Sequence, residues 1–424
     1  MKSDILIVGS GVGGATVAKE LAIRGHKVTI LERGKHHKLG TKRRRMGFYS
    51  NVNSVDGTQI LRTVMVGGGS MVTFASGVRA LQNELKTLGV DLENEFEEVE
   101  KELGVTSLPE RFIGERTKRL KEASEELGYD VKLMPKFIDF SKCRGCGMCD
   151  QGCRYGAKWT AENFLGEAQR YGAKLVTETS VEEVLHSVAE VKGVSVRGPY
   201  GVFEINAENI VLAAGGIGTP IILLRSGLEN AGSNFFADPL VNTIGIIEKS
   251  GSENEMSMAT IIDEFQEQYG FIISPAPVSE STLAKLNYLP FFKKLYAFRR
   301  RQTLSLMTKI TDDAVGRVEI DGTIHKPLTE NDRKKLDKGN EISREILLQA
   351  GASSRSLFKS KVRAAHPGGT AGIGRVVNTD QETEISRLFV SDASVLPEAP
   401  GLPPVLTIVA LSKRFSKKLA LEYL

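Results

Sequence analysis

The sequence predicts an α/β fold, and three observations lead to this prediction. The chain opens with a strand, glycine turn, helix and strand pattern. Two further glycine clusters follow at residues 64–77 and 209–227. Between residues 236 and 364, runs rich in β-branched residues are typical of strands in an antiparallel sheet. We therefore expect a Rossmann-like dinucleotide-binding domain joined to a second, α+β domain.

The N-terminal segment "DILIVGSGVGGATVAKELAIRGHKVTILERG" has the order of a phosphate-binding βαβ unit. Gly9, Gly11 and Gly14 fit the pattern G-x-G-x-x-G. The first glycine permits a tight turn, the second lets the backbone approach a pyrophosphate, and the third lets the helix pack on the strand. Free N–H groups at the helix N-terminus attract the phosphates. Glu32 ends the second strand and can accept hydrogen bonds from both ribose hydroxyls, which disfavours a 2′-phosphate.

The two later glycine clusters indicate which dinucleotide is bound. They read "VMVGGGSMVTFASG" and "NIVLAAGGIGTPIILLRSG". A chain that returns to the nucleotide three times is built around a large resident ligand. This organisation favours FAD over an exchangeable NAD.

These motifs resemble the GMC (glucose–methanol–choline) oxidoreductases, flavoenzymes that take hydride from alcohols. "GGGSMVT" is similar to the flavin-contacting loop of that family, and "AAGGIGTPIILLRSG" to its second signature. "AAHPGGTAGIGRVVNTDQETEISRLFVSDASVLPEAPGLPPVLTIVALSKR" resembles its C-terminal catalytic segment. Within the family, the chain looks closest to a branch that acts on long-chain alcohols and sterols.

The resemblance implies a set of FAD contacts spread over these segments. Asp392 would lie near the ribityl and pyrophosphate groups, with a structural cap as the alternative. Thr73 departs from the family, where Asn is common. Together with the three motif glycines and Glu32, the implied cofactor-binding residues are Arg33, Gly68, Gly69, Ser70, Thr73, Val181, Ala214, Gly215, Asp392, Ala393, Pro404 and Val405.

His366 is the candidate catalytic residue, because the resemblance puts it at the active-site histidine of the family. A neutral imidazole can accept the hydroxyl proton as hydride leaves the alcohol carbon. A histidine that only caps the turn is the alternative. The family usually carries a second His or Asn in the segment that matches "GLPPVLT", where this chain has Pro403. Proline has no side-chain hydrogen-bonding group, so the usual pair is incomplete.

All four cysteines of the chain, Cys143, Cys146, Cys149 and Cys153, lie in "KCRGCGMCDQGCRYGAKWT". The spacing C-x2-C-x2-C-x3-C is the ferredoxin one and favours a single [4Fe–4S] cluster in a small cysteine-rich insertion. The fourth thiolate either completes the cluster or stands aside. Zinc and disulfides are the alternatives, although zinc sites usually join two separated knuckles. "GC-RYGAK" also matches a frame in GMC relatives, so part of the loop is older than its full cysteine set.

Composition excludes some function classes. The formal charge of +4 is close to balance, which predicts no nucleic-acid partner. No segment approaches the roughly 18 apolar residues of a membrane span, and no signal peptide is evident, so we expect a soluble, cytoplasmic protein. The segment "STLAKLNYLPFFKKLYAFRRRQ" is interpreted as core packing, a lid, or a peripheral membrane contact. The basic run "KRRR" at 42–45 is expected in a solvated loop.

We therefore expect a discontinuous FAD domain (1–80, 160–235 and 365–424), a helical segment with the iron–sulfur loop (81–159), and a substrate domain (236–364). The predicted function is hydride transfer between an apolar alcohol or carbonyl substrate and FAD. Electrons would pass through the cluster to or from a ferredoxin-like or flavin carrier. The alternatives are a ferredoxin-driven reductase of an isoprenoid or other C=C bond, and an electron-transfer subunit without a small substrate.

Overall fold

The structure, a computed structural model, describes residues 3–37, 49–187, 190–248, 255–276 and 302–424. The basic run and nearly all of the predicted lid or membrane-contact segment lie outside these residues. The helices within them are α1 (Val12–Ile23), α2 (Gln82–Thr87), α3 (Glu93–Leu103), α4 (Glu115–Glu126), α5 (Ala161–Arg170), α6 (Gly215–Arg225), α7 (Phe265–Tyr269), α8 (Glu330–Gln349) and α9 (Val405–Glu422).

The strands, numbered in chain order, are β1 (Ile5–Val8), β2 (Val28–Leu31), β3 (Val52–Asn53), β4 (Gln59–Ile60), β5 (Val105–Ser107), β6 (Lys132–Leu133), β7 (Pro135–Phe137), β8 (Lys174–Val176), β9 (Ser180–His186), β10 (Val191–Gly198), β11 (Gly201–Asn206), β12 (Ile210–Leu212), β13 (Ser233–Phe235), β14 (Pro239–Ile246), β15 (Thr260–Ile261), β16 (Phe271–Pro275), β17 (Thr303–Ile310), β18 (Gly316–Val318), β19 (Ile324–His325), β20 (Phe358–Lys359), β21 (Arg363–Ala364) and β22 (Leu388–Val390).

A five-stranded parallel sheet, in the order β22–β12–β1–β2–β8, forms the nucleotide half of the molecule. Every residue of β1 and β2 is buried, as expected for strands covered on both faces. Helix α1 contacts both α5 and α9. The sheet and these helices enclose the largest apolar core among the residues that the structure describes. The predicted α/β fold class is therefore confirmed.

A second, seven-stranded sheet runs in the order β16–β17–β14–β21–β4–β3, with β20 also paired to β14. Helix α8 covers one of its faces. The helix begins after Thr329, whose side chain accepts from the N–H of Asp332 in a capping box. Inside α8, a Cβ on Gly339 would lie 2.2 Å from the Thr308 side chain, so glycine permits the close approach of helix and sheet.

The second sheet differs from the sequence prediction at its N-terminal end. Residues 1–80 were expected to belong wholly to the FAD domain, yet β3 and β4 pair with each other and β4 pairs in parallel with β21. The predicted helical segment contains α2, α3 and α4 but also the short strands β5, β6 and β7. Both differences have one cause: two-residue and three-residue strands are too short for alternation to reveal.

Three strands, β9, β10 and β11, form an antiparallel meander next to the nucleotide half. This places Val181, one of the implied cofactor-binding residues, on the first strand of the meander. Among the helices that the structure describes, none has the length and apolarity needed to cross a membrane.

Candidate active site

One cavity of about 1000 Å³ lies between the parallel sheet and the seven-stranded sheet. The N-terminal glycine turn, the end of β2, the loop after residue 67, the start of α6 and the segment before α9 all contribute to its wall. His366 lines it, as does Cys146 of the cysteine loop. The predicted dinucleotide residues other than Gly14, the candidate base and one cysteine therefore share a single cavity.

The N-terminal glycines have three different surroundings. Gly9 has φ +106°, and a Cβ there would lie 2.3 Å from the oxygen of Ala213. A Cβ on Gly14 would lie 2.1 Å from the oxygen of Gly9, which agrees with its predicted role in packing the helix on the strand. Gly11 lines the cavity, and a Cβ on it would meet nothing within 4 Å. The backbone at Gly11 is thus open to a close ligand, as a pyrophosphate requires.

Gly13, which the pattern does not single out, is the most tightly enclosed residue of this turn. A Cβ on it would lie 1.8 Å from the oxygen of Ser391. No local signal marks this position, because the clash is with the strand end near residue 390, far away in sequence.

Glu32 lies at the end of β2 with its side chain 7% exposed, and it lines the cavity. One carboxylate oxygen accepts from the N–H and the hydroxyl of Ser10, at 3.0 and 2.6 Å. The other accepts from the N–H of Gly34 at 2.6 Å. These donors fix the carboxylate at the wall of the cavity. The neighbouring Arg33 is exposed and also lines the cavity.

The loop "GGGSMVT" forms a short 3-10 turn whose residues line the cavity opposite the glycine turn. A Cβ on Gly68 would lie 3.0 Å from the Cα of Gly11, so the two turns are in close contact. The hydroxyl of Ser70 donates to the oxygen of Gly67 at 2.6 Å and accepts from the N–H of Ala161 at 2.9 Å. This loop is therefore anchored to the start of α5. Its members Gly68, Gly69, Ser70 and Thr73 line the cavity.

Asp392 joins the second glycine signature to the C-terminal segment. One carboxylate oxygen accepts from the N–H of Gly215 at 2.8 Å and the hydroxyl of Thr219 at 2.6 Å. The other accepts from the N–H and hydroxyl of Ser394, at 2.7 and 2.5 Å. Asp392 thus caps a turn and also lines the cavity. The remaining predicted cofactor residues that line the cavity are Val181, Ala214, Gly215, Ala393, Pro404 and Val405.

His366 forms a cluster with two residues that the sequence analysis did not identify, Asp238 and Lys309. Its Nδ1 lies 2.8 Å from Oδ2 of Asp238. Nζ of Lys309 lies 3.5 Å from that carboxylate oxygen and 3.5 Å from Nδ1 of His366. Because a carboxylate accepts, Nδ1 donates its hydrogen and Nε2 keeps a free lone pair. The side chain of Asp238 is fully buried, whereas that of His366 is 24% exposed.

The electrostatics of this cluster keep the imidazole neutral. Burial lowers the pKa of His366 below its usual 6.5, the Lys309 cation lowers it further, and Asp238 opposes both. Burial lowers the pKa of Lys309 to about 8, again against the effect of Asp238. At pH 7 the histidine can therefore act as a proton acceptor.

The wall beside the cluster is mainly apolar. Leu240 and Met307 project into the cavity from β14 and β17, and Phe74 and Met258 line it from neighbouring segments. Three buried polar atoms on the cavity wall have no hydrogen-bond partner within the described residues, and these are Nε of Arg62, Oγ1 of Thr63 and Oδ1 of Asn242. Buried polar groups are normally paired, so these atoms point to a bound polar ligand.

The four cysteines converge on one small cavity of about 20 Å³. Gly145, Gly147 and Gly152 have φ values of 60°, 64° and 80°, so the backbone turns sharply at these glycines. Two N–H groups donate to sulfur at 3.4 Å, from Gly145 to Cys143 and from Lys158 to Cys153. In the described part of the chain, no three His, Cys, Asp or Glu side chains are arranged to hold a metal ion. The cavity has room for about one water, so a cubane requires the loop to open.

Two buried lysines connect the cysteine loop to the rest of the site. Nζ of Lys158 donates to the carbonyl oxygens of Ser70, Met71, Thr73 and Cys149, at 2.9, 3.0, 3.1 and 2.8 Å. Nζ of Lys136 donates to Phe74, Ser76 and Ser257. Burial raises the pKa of the Cys149 thiol to about 11, against the effect of both lysines. Lys158 therefore ties the loop that lines the dinucleotide cavity to the cysteine loop.

Three functional candidates do not stand out in the sequence. Asp238 and Lys309 lie in apolar strand surroundings, and Lys158 follows a glycine turn. A charged residue within an apolar run, such as Lys309 in "TLSLMTKI", was the available signal. Pro403, the departure from the family pattern, lines the cavity and offers no hydrogen bond.

Comparison with known proteins identifies the family. The GMC oxidoreductase profile matches residues 3–240 and 299–412. An uncharacterized protein of Methanocaldococcus jannaschii is 31% identical over 98% of this chain and 99% of its own. Long-chain-alcohol oxidase FAO3 of Arabidopsis thaliana is 27% identical over 99% of this chain and 68% of its own.

A solved structure agrees in fold. The crystal structure of pyridoxine 4-oxidase from Mesorbium loti superposes with a TM-score of 0.76 at 18% identity, covering 99% of this chain and all of that one. The resemblance stated from the motifs is confirmed. The chain belongs to the GMC oxidoreductase family, whose members are FAD-dependent enzymes that act on alcohols.

Proposed function

We propose that the protein is a FAD-dependent dehydrogenase that interconverts an apolar alcohol and its carbonyl, with a [4Fe–4S] cluster that exchanges electrons with a ferredoxin-like or flavin carrier. The observation that carries the proposal is the single cavity that the glycine turn, His366 and Cys146 line together. Such a cavity can bring a dinucleotide, an alcohol and the cysteine loop into one region of the molecule.

The residues of the cavity fit FAD. The open backbone at Gly11, the carboxylate of Glu32 and the unpaired polar atoms of Arg62 and Thr63 are the groups expected to hold its diphosphate, ribose and ring. Bound FAD supplies the acceptor for the hydride from the alcohol carbon.

The chain's own residues prepare the alcohol. His366 accepts the hydroxyl proton at Nε2, because its Nδ1 hydrogen is engaged by Asp238. Asp238 is a positioning residue that fixes the tautomer and the ring orientation. The apolar side chains of Leu240, Met258 and Met307 exclude water and favour an apolar substrate. FAO3, whose name gives long-chain alcohols as its substrates, points to the same class.

The cluster would be held by Cys143, Cys146, Cys149 and Cys153. The donor set supports this assignment, since four thiols surround one cavity and two N–H groups already reach sulfur. A cluster would supply one-electron exchange with a protein carrier, which favours a dehydrogenase over an oxidase. Thiols persist as ligands in a reducing compartment, so we place the protein in the cytoplasm.

The partners in this proposal are an apolar small molecule and the electron carrier, with no nucleic acid. Peripheral membrane contact depends on residues outside the described part of the chain and stays a prediction. Reduction of an isoprenoid or other C=C bond, driven by ferredoxin, is the second candidate. Pro403 favours it, because the second hydrogen-bonding side chain usual in alcohol oxidation is absent at that position.

Anaerobic purification tests the cluster. We expect about four irons and four sulfides per chain and broad visible absorbance that dithionite bleaches. Cys143→Ser should lose the iron while FAD stays bound. Cys153→Ser decides the ligand number, since an iron content at the wild-type level would leave only three thiolate ligands. Zinc in place of iron, or no metal, would refute this part of the proposal.

Anaerobic mixing with primary alcohols of increasing chain length tests the reaction. Bleaching of the FAD absorbance by apolar alcohols, with His366→Ala at least a hundredfold slower, is the expected result. His186→Ala is the matched control, because this exposed histidine does not line the cavity. Bleaching that no alcohol produces, together with turnover of an isoprenoid C=C substrate, would favour the second candidate.

A further inference from the structure

We propose that Lys309 is a catalytic residue that binds the oxygen of the substrate, in place of the side chain that is missing at Pro403. The proposal rests on the alcohol–carbonyl reaction proposed above and names the second polar group of that site. Three observations carry it: the position of Lys309 in its sheet, the length of its contacts, and its distance from the base.

The strand register directs Lys309 into the cavity. On β14 and β17, Leu240 pairs with Lys309 and Asn242 pairs with Met307. All four residues line the cavity, as alternation along two paired strands requires. The intervening Thr308 instead packs against Gly339 on the face covered by α8. Lys309 thus places an ammonium on this mainly apolar wall, where Arg363 on the paired strand β21 is a second cation that lines the cavity.

The contacts of Lys309 are long, and a second buried lysine shows the difference. Nζ of Lys309 has 3.5 Å contacts to Asp238 and His366. Nζ of Lys326, equally buried, lies 2.9 Å from Asp312 and donates to two carbonyl oxygens at 3.2 Å. Lys326 does not line the cavity. An ammonium carries three N–H donors. Lys309 can therefore still donate strongly to a ligand oxygen, whereas each N–H of Lys326 already has an acceptor.

The step that follows conserves atoms and charge. In the oxidation direction the hydroxyl oxygen accepts a hydrogen bond from Lys309 and donates its own hydrogen to Nε2 of His366. The O–H proton passes to Nε2 of His366, and bound FAD would supply the acceptor for the carbon-bound hydrogen and its electron pair, so that the alcohol becomes the carbonyl. Lys309 stabilises the negative charge that develops on oxygen. In reverse, Lys309 polarises the carbonyl and His366 returns the proton.

This site should recognise a chemical class that the alcohol reaction alone does not predict. An ammonium at the polar end of an apolar wall binds a carboxylate better than a neutral alcohol. Carboxylates with an apolar chain should therefore occupy the substrate position. Decanoate is a suitable probe, and its binding can be followed by the change in FAD absorbance without turnover.

The test compares Lys309→Met, Lys309→Arg and the exposed control Lys334→Met. We expect Lys309→Met to bind decanoate at least tenfold more weakly and to oxidise decanol about a hundredfold more slowly, with FAD content retained. Lys309→Arg should recover most of the decanoate affinity, because it restores the cation. Lys334→Met should match the wild type in every measurement, since its side chain is 73% exposed.

The pH dependence separates direct binding from an effect through the histidine. Asp238 and His366 face Lys309 directly, and the paired Asp312 and Lys326 lie behind Asp238. Decanoate binding to the wild type should weaken as pH rises through about 8, where Lys309 loses its proton. Lys309→Met should lack this decline.

Two results would decide the proposal. If Lys309→Met binds decanoate with wild-type affinity and shifts only the acid limb of the rate profile, Lys309 acts through His366 alone and the proposal is overturned. If no alcohol reduces FAD but decanoate binding still depends on Lys309, the oxygen site stands and the proposed alcohol chemistry fails.

Discussion

Lys309 and Lys158 are both buried lysines, 1% and 3% exposed, yet their partners have opposite character. Lys309 faces the ionisable groups of Asp238 and His366 at long distance. Lys158 donates to four neutral main-chain carbonyl oxygens at 2.8–3.1 Å, and it forms no ion pair with a carboxylate within the described residues. Lys309 keeps free N–H donors beside a compensating carboxylate, whereas Lys158 has an acceptor for every N–H but no opposite charge.

The two regions therefore lack different groups. Buried charges are normally paired with an opposite charge. In the substrate region, the carboxylate of Asp238 is the opposite charge for Lys309. The group still missing there is a neutral or anionic ligand oxygen to which Lys309 can donate. The cysteine region has the buried cation of Lys158 beside four thiols. A thiolate-bound cluster of net negative charge would supply the missing opposite charge. This contrast supports the proposed cluster independently of the cysteine spacing.

The largest expected effect is on the cysteine side of the comparison. Lys158→Met removes the donor to four buried carbonyl oxygens, and we expect the free energy of unfolding to fall by about 3–5 kcal/mol. Urea denaturation of the FAD-loaded protein measures it. Lys334→Met again serves as the control. A loss below about 1 kcal/mol would mean that water replaces the ammonium, and the contrast between the two lysines would disappear.

A second prediction concerns the positioning of the base. Asp238→Asn should reduce the rate of FAD reduction about 10–100-fold, because the amide holds the imidazole tautomer less firmly. Asp238 raises the pKa of His366, so its removal lowers that pKa. Oxidation requires the neutral imidazole, and the acid limb of the rate profile should therefore move to lower pH. Movement to higher pH would contradict the assignment of His366 as the base.

The smallest expected effect is on the stability of the substrate side. Lys309→Met should lower the free energy of unfolding by only about 1–2 kcal/mol, because Asp238 loses a long 3.5 Å contact but keeps its hydrogen bonds from His366 and from the N–H of Gly401. The same urea series measures it. A loss as large as that of Lys158→Met would show that both lysines are structural.

The parts of the site that could be predicted are those built from neighbouring residues. Gly9, Gly14 and Glu32 belong to one βαβ unit, so their roles follow from local order. Asp238 and His366 are 128 positions apart in the chain, and they meet only because β14 pairs with β21. No periodicity within one segment encodes such a contact. The same limit explains Gly13, whose neighbour Ser391 lies on the opposite end of the chain.

The pairing of β4 with β21 has a consequence for how the molecule is made. The N-terminal residues contribute strands to both sheets, and each sheet receives a strand from residues 363–390. Neither sheet is complete until residues 363–390 have been synthesised and can fold. The cavity between the sheets therefore cannot form before that point, and any cofactor that occupies it must be loaded afterwards.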